Sequence, residues 1–107
     1  MKLTQREIEK MMIFVAAQMA ERRRQAGLKL NHPETVAIIA DFVQEQARKG
    51  EMVAKIAKDA RHVLSTDDVM PGVAEMITLV QCEATFPDGT KLVSVHNPIQ
   101  PKGEQEK

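Results

Sequence analysis

The segment Pro87-Asp88-Gly89 constrains the fold of this 107-residue chain more than any other feature. Pro presets φ at the first turn position, Asp bonds its own backbone, and Gly accepts a positive φ. We therefore predict a type I turn with a bulge at Gly89, flanked by strands over Ile77–Thr85 and Lys91–His96. A two-stranded hairpin is marginally stable in water, so this one must pack against the rest of the chain.

The sequence before the hairpin has helical periodicity. A capping box, Thr4 with Glu7, starts a first helix that we place at residues 5–26, with Gly27 as its stop. Large apolar residues recur at helical spacing, with two more beside the stripe: Ile8, Met11, Met12, Val15 and Met19, then Ile13 and Phe14. An apolar surface wider than the arc that a surface helix of a monomer needs predicts burial on two sides.

Two further helices are expected. Asn31 or His32 caps the second, Pro33 lies in its first turn, and Gly50 ends it. Its predicted inner face is Val36, Ile39, Ala40, Val43 and Ala47, broadened by Ile38 and Phe42. A third, shorter helix turns Val53, Ile56, Ala57 and Ala60 inward. A further cap at residues 65–68 begins a possible single turn before Pro71-Gly72 breaks the chain.

These elements predict the α+β class, with a three-to-four-helix bundle-like domain followed by a C-terminal antiparallel β-hairpin. Residues 1–99 form one domain, because no linker divides them. The segment 100–107 contains only Gln, Pro, Lys, Gly and Glu, and we expect it to be disordered.

Charge and cysteine content exclude several classes of protein. The formal net charge is zero, from 15 basic and 15 acidic side chains, whereas nucleic-acid-binding domains usually carry a basic excess. The single cysteine, Cys82, rules out an internal disulfide and fits a reducing compartment. The N-terminus lacks the apolar stretch of a secretory signal, and no apolar run reaches the roughly 20 residues of a membrane span. We therefore expect a soluble, cytoplasmic protein.

The sequence carries no catalytic, cofactor-binding or metal-binding motif. Its histidines, His32, His62 and His96, lie far apart, and no HxH, HExxH or CxxC pattern occurs. A metal site that folding assembles from the three is one alternative, and a nucleophilic pair of Cys82 with a distant histidine is another. Surface histidines and a small buried thiol are the simpler interpretation. On the residues alone, we expect an interaction subunit of a larger assembly.

Three separated motifs, read in order, point to one family. They are Gly27-Leu-Lys-Leu-Asn31, then Arg61-His-Val-Leu64, and finally the hairpin Glu83-Ala-Thr-Phe-Pro-Asp-Gly-Thr-Lys-Leu-Val93. With these motifs, residues 1–99 resemble the urease gamma subunit, the small structural chain of a nickel-dependent amidohydrolase.

The resemblance implies a non-catalytic role. In that family the large alpha subunit carries two nickel ions, bridged by a carbamylated lysine, and hydrolyses urea to ammonia and carbamate, which then gives carbon dioxide. The gamma subunit supplies no metal ligand and packs with alpha and beta subunits, and three such units close into a ring. The end of the chain soon after Ile99 implies separate gamma and beta chains.

The resemblance also gives the hairpin a role in assembly. We expect it, with the broad helical faces, to be buried against other subunits. The candidate assembly residues are Phe86, Pro87, Asp88, Gly89, Lys91 and His96. The alternative is a free-standing helical adaptor or nucleic-acid-binding domain.

Overall fold

The computed structural model describes residues 2–104 and has the predicted α+β class, with helices first and an antiparallel hairpin at the end. The helices are α1 (Gln5–Gln25), α2 (His32–Lys49), α3 (Val53–Asp59) and α4 (Val73–Met76). The strands are β1 (Leu79–Phe86) and β2 (Gly89–His96). Single 3₁₀ turns occur at Ala60–His62, Thr66–Asp68 and Lys102–Glu104.

Local capping signals set the ends of the two long helices. The Thr4 hydroxyl accepts from the Glu7 N–H at 3.1 Å, and the Glu7 carboxylate accepts from the Thr4 N–H at 2.8 Å. Asn31 and Glu34 make the same reciprocal pair at the start of α2, which identifies Asn31 as the cap. Gly50 ends α2 at φ +90°, a conformation that glycine adopts without strain.

Helix α2 lies at the centre of the molecule and packs against both α1 and β1. Its predicted inner face is confirmed at Ile39, Ala40, Val43 and Ala47, which are buried, while Val36 is half-buried. Alternate residues of the hairpin face this helix layer and are buried: Val80, Cys82, Ala84 and Phe86 on β1, and Val93 and Val95 on β2. The hairpin therefore gains the support that a free two-stranded sheet lacks.

Two details of the predicted hairpin are wrong. The first strand does not begin at Ile77, because the short helix α4 runs to Met76 and pairing starts only at Leu79. The Asn97 N–H still donates to the Thr78 carbonyl at 2.8 Å, in the register of the ladder, but Asn97 has φ +45°, so the extended backbone of β2 ends at His96.

The second error is the bulge at Gly89. Pairing is one-to-one from Leu79 with His96 to Phe86 with Gly89, so no extra residue is inserted. The loop residues Pro87 and Asp88 both have negative φ and cannot form the primed turns that match strand twist. Gly89 has φ +129°, which confirms its predicted positive φ. This conformation lets the chain enter β2 after a turn whose twist does not match that of the strands.

The predicted disordered tail falls partly on residues 105–107, which lie outside the described residues, and it stays a prediction. Within the described part, the Gln100 carbonyl accepts from the Thr66 N–H at 3.1 Å, and its side chain bonds the Asn97 carbonyl at 2.8 Å. Across the described residues, we find no helix with the length and apolar character needed to span a membrane.

Candidate assembly surface

Helix α1 carries a row of large apolar side chains that are exposed to solvent. This α1 outer face consists of Ile8, Met11, Met12, Phe14, Val15 and Met19. Their exposed fractions run from 39% at Ile8 to 64% at Met12. Exposed apolar patches of this kind are uncommon on monomers and mark interaction sites.

The side of α1 that packs on α2 is built from smaller residues. Ala17 and Ala20 are buried there, and Ile13 is half-buried beside them. These positions recur at i, i+4 and i+7, so they share one helical face. The stripe that periodicity singles out is thus the outer face. The apolar surface of α1 extends over two sides, of which one is buried within the chain, and burial of the other side stays a prediction.

The predicted assembly residues at the hairpin tip are held by contacts within the chain. Phe86 is only 5% exposed and belongs to the core, so its side chain supports the tip from inside. Pro87 is exposed, and its ring carbon Cγ lies 3.5 Å from where a Cβ at Gly50 would stand. The turn therefore rests against the end of α2.

Charge at the tip is paired. The Lys91 ammonium donates to the Asp88 carboxylate at 3.1 Å and lies 5.0 Å from the centre of the Phe86 ring. That hydrogen bond lowers the pKa of the Asp88 carboxyl. Both side chains remain exposed, so the pair is worth little to stability and is accessible to a partner.

His96 lies at the other end of the hairpin, opposite Leu79. At the rise of an extended strand it is roughly 23 Å from the tip, so the six predicted residues do not form one cluster. Five of them meet at the turn, and His96 stands apart. Their part in assembly stays a prediction.

Sequence reasoning missed a groove between α1, α2 and β1. Its volume is about 510 Å³, and Ile13, Val36 and Ala40 are among its apolar lining. Arg6 and Lys10 of α1 bridge to β1 and β2 across one end of it: Arg6 bonds Thr90 at 3.2 Å and pairs with Glu83 at 3.7 Å, and Lys10 bonds Thr85. These partners are at least 75 residues apart in sequence, so no local pattern could reveal them.

The groups considered for catalysis or metal binding are not brought together. Within residues 2–104, no three His, Cys, Asp or Glu side chains are grouped so as to hold a metal ion. Cys82 and His32 both line the groove, but no hydrogen bond joins them. Burial raises the pKa of the Cys82 thiol, which opposes formation of a nucleophilic thiolate.

A comparison with known protein families identifies the chain. The family model described as urease, gamma subunit, matches residues 1–99, which include α1 with its outer face and the whole hairpin. This match covers nearly all of the 107 residues. The chain therefore belongs to the urease gamma subunit family, and it is a urease subunit that associates with other subunits of that enzyme.

Proposed function

We propose that this chain is a structural, non-catalytic subunit of a cytoplasmic urease. It assembles with alpha and beta subunits, and three alpha–beta–gamma units form a ring. Hydrolysis of urea to ammonia and carbamate takes place at two nickel ions that the alpha subunit holds. The part of this subunit is to support the assembly.

The α1 outer face is the observation that carries the proposal. Full burial of one Met, Val, Ile or Phe side chain is worth about 1.5–3 kcal/mol. Six such side chains are exposed on one helix, so the isolated chain lacks the favourable free energy that their burial would give. Association with other subunits would realise it.

The donor set of the chain supports a non-catalytic role. The described residues offer no grouped ligands for nickel, so no step of the reaction is assigned to them. His32 begins α2, His62 ends a 3₁₀ turn, and His96 ends β2, which leaves the three imidazoles on separate elements.

The structure also weighs against the alternative of a nucleic-acid-binding domain, as the three consecutive arginines at the end of α1, residues 22–24, show. Arg23 forms an ion pair with Glu34, and Arg24 pairs with both Glu21 and Asp68. Two of the three consecutive arginines therefore pair with carboxylates of the chain itself, which offsets part of the positive charge that phosphate binding uses.

The test is co-expression of the alpha and beta chains with and without this chain, followed by size-exclusion chromatography and a urea hydrolysis assay. We expect the full set to elute as one active complex and the omission to lose most of it. The isolated chain should show no urease activity and no nickel binding above that of surface histidines. An active chain on its own, or an unchanged complex after its omission, would contradict the proposal.

A further inference from the structure

Strand β1 has an open edge. Within residues 2–104 the sheet contains only β1 and β2, so each strand is paired on one side. A two-residue loop makes Phe86 and Gly89 a hydrogen-bonded pair, and such pairs alternate with pairs that exchange no bonds. Gln81 and Glu83 fall on the second kind, so their N–H and C=O groups point away from β2. No other described group bonds to them.

The groove described above runs along this edge. On β1 it is lined by four consecutive residues, Val80 to Glu83. Because successive side chains of a strand point to opposite faces, a groove that touches four in a row follows the edge of the strand. Its floor is α2 and its far wall is α1, with Ile13, Val36 and Ala40 supplying apolar surface.

We propose that a short extended segment of another urease subunit occupies this groove as a third strand beside β1. Its backbone pairs with the outward groups of Gln81 and Glu83, and an aliphatic side chain enters the apolar floor. This is strand addition to a sheet edge, in which the main chain gives affinity and the pocket gives specificity. The inference rests on the proposed assembly role.

The charges of the rim define the chemistry of the segment. Arg6 and Lys10 are balanced by Glu9 and Glu83, so the rim has no net charge. A neutral, apolar-centred segment suits it better than an acidic or basic one. The polar residues of the tail that begins at Gln100 offer no side chain for the floor.

Helix α1 also obstructs the approach of the hairpin of a second copy. The Arg6–Glu83 pair, at 3.7 Å, and the Lys10–Thr85 bond tie α1 to the sheet at one end. A second copy would bring its own α1 to the same place, because α1 flanks this edge in every copy. A single extended segment meets no such obstacle.

Amide hydrogen exchange tests the proposal without any substitution. In the assembled complex, the amides of Gln81 and Glu83 should exchange at least tenfold more slowly than in the isolated chain. Equal exchange rates in a complex that has formed would overturn the strand addition and leave the assembly role intact. Absence of any complex would overturn both. Protection that appears in the isolated chain together with dimerisation would assign the edge to a second copy.

A matched pair of proline variants then separates strand addition from simple covering. Gln81→Pro removes an outward N–H from β1, and Ser94→Pro, directly opposite, removes one from β2. Both lose the same Gln81–Ser94 side-chain bond of 3.2 Å and keep every ladder bond. Gln81→Pro should weaken assembly about tenfold, the value of one backbone hydrogen bond, and Ser94→Pro should not. Equal effects in two folded variants would contradict the proposal.

Discussion

The outer face of α1 and the outer face of the hairpin both point to solvent, yet they are built from different side chains. The α1 outer face consists of six large apolar residues. The hairpin outer face is mostly polar: Gln81, Glu83, Thr85, Thr90, Ser94 and His96, with Leu79 and Leu92 between them. An antiparallel sheet with one packed and one polar face is stable beside water, whereas an apolar helix face gains from being covered.

The sequence predicted an assembly role for both α1 and the hairpin, and this difference indicates that the two elements contribute in different ways. We infer that α1 contributes buried apolar area to association. The hairpin contributes its edge and its turn, since its broad face is suited to solvent. Substitutions on the two faces should therefore have unequal effects, and the comparison can be broken by experiment.

The largest difference is expected in the affinity of assembly, between a substitution on the α1 outer face and one on the hairpin outer face. Met12→Gln on α1 and Leu92→Gln on the hairpin replace side chains of similar exposure, 64% and 54%. Met12→Gln should weaken assembly about 10–100-fold, as expected for the loss of about 1.5–3 kcal/mol of apolar burial. Leu92→Gln should leave the affinity nearly unchanged, as measured by titration of the partner subunits. Equal losses would show that both faces are covered.

The two sides of α1 itself give the second contrast, in the isolated chain. Ala20 is fully buried against α2, and Ala16, one turn earlier, is exposed. Ala20→Leu should lower the free energy of unfolding by about 1–3 kcal/mol, because the packed interface has no room for three more carbons. Ala16→Leu should change it by less than about 0.5 kcal/mol. Urea unfolding measures both values. If Ala20→Leu left the free energy of unfolding unchanged, the face of α1 that carries Ala20 would not be the packed one.

Local sequence signals predicted most of the fold, whereas contacts between residues far apart in the sequence left no signal that could be recognised. The capping residues Thr4 and Asn31 and the stop at Gly50 placed the helices, since each acts through its own neighbours. Periodicity found the apolar stripe of α1 but could not tell which side meets α2. The packed side uses alanines, which carry little hydrophobic signal. The groove and its Arg6 bridge depend on residues distant in sequence, so only the folded chain reveals them.

The turn offers a third test, of similar or smaller size. Gly89 and Gly103 both have open space where a Cβ would stand, but only Gly89 has a positive φ, +129°. Gly89→Ala should cost about 1–2 kcal/mol in the free energy of unfolding, because an L side chain is strained there. Gly103→Ala should be close to neutral. Asn should not rescue position 89 fully, since its tolerance centres near φ +57°. If Gly89→Ala and Gly103→Ala changed the free energy of unfolding equally, an L side chain at position 89 would not be strained.

The smallest effect concerns two carboxylates beside different stretches of α1, Asp41 near its middle and Asp68 near its last turn. Asp41 lines the surface beside Met11 and Phe14 of the α1 outer face, and burial and the nearby Glu45 raise its pKa. Burial opposes ionisation of Asp68 too, but hydrogen bonds from the Ser65 N–H, at 2.8 Å, and from Arg24, at 3.2 Å, outweigh it and lower its pKa. The two groups should therefore affect stability with opposite dependence on pH.

For Asp41, the folded pKa lies above the unfolded value of about 3.9, so its contribution is present below that pH and is lost as the pH rises through the folded pKa. For Asp68 the folded pKa is depressed, so its contribution is present above about pH 3.9 and is lost as the pH falls through the folded pKa. Relative to the unsubstituted chain, Asp41→Asn should gain stability as the pH rises from about 3.5 to about 7, through and above the unfolded value of both carboxyls. Asp68→Asn should lose stability relative to the unsubstituted chain over the same range. Both changes should be a fraction of a kcal/mol, because water and salt screen half-exposed charges. Urea midpoints across this range measure the signs, and a common sign would mean that Asp41 has a cationic partner. In that case the carboxylate beside the α1 outer face would be charge-paired, as Asp68 is with Arg24. The contrast between the outer face of α1 and its packed face would then rest on apolar area alone.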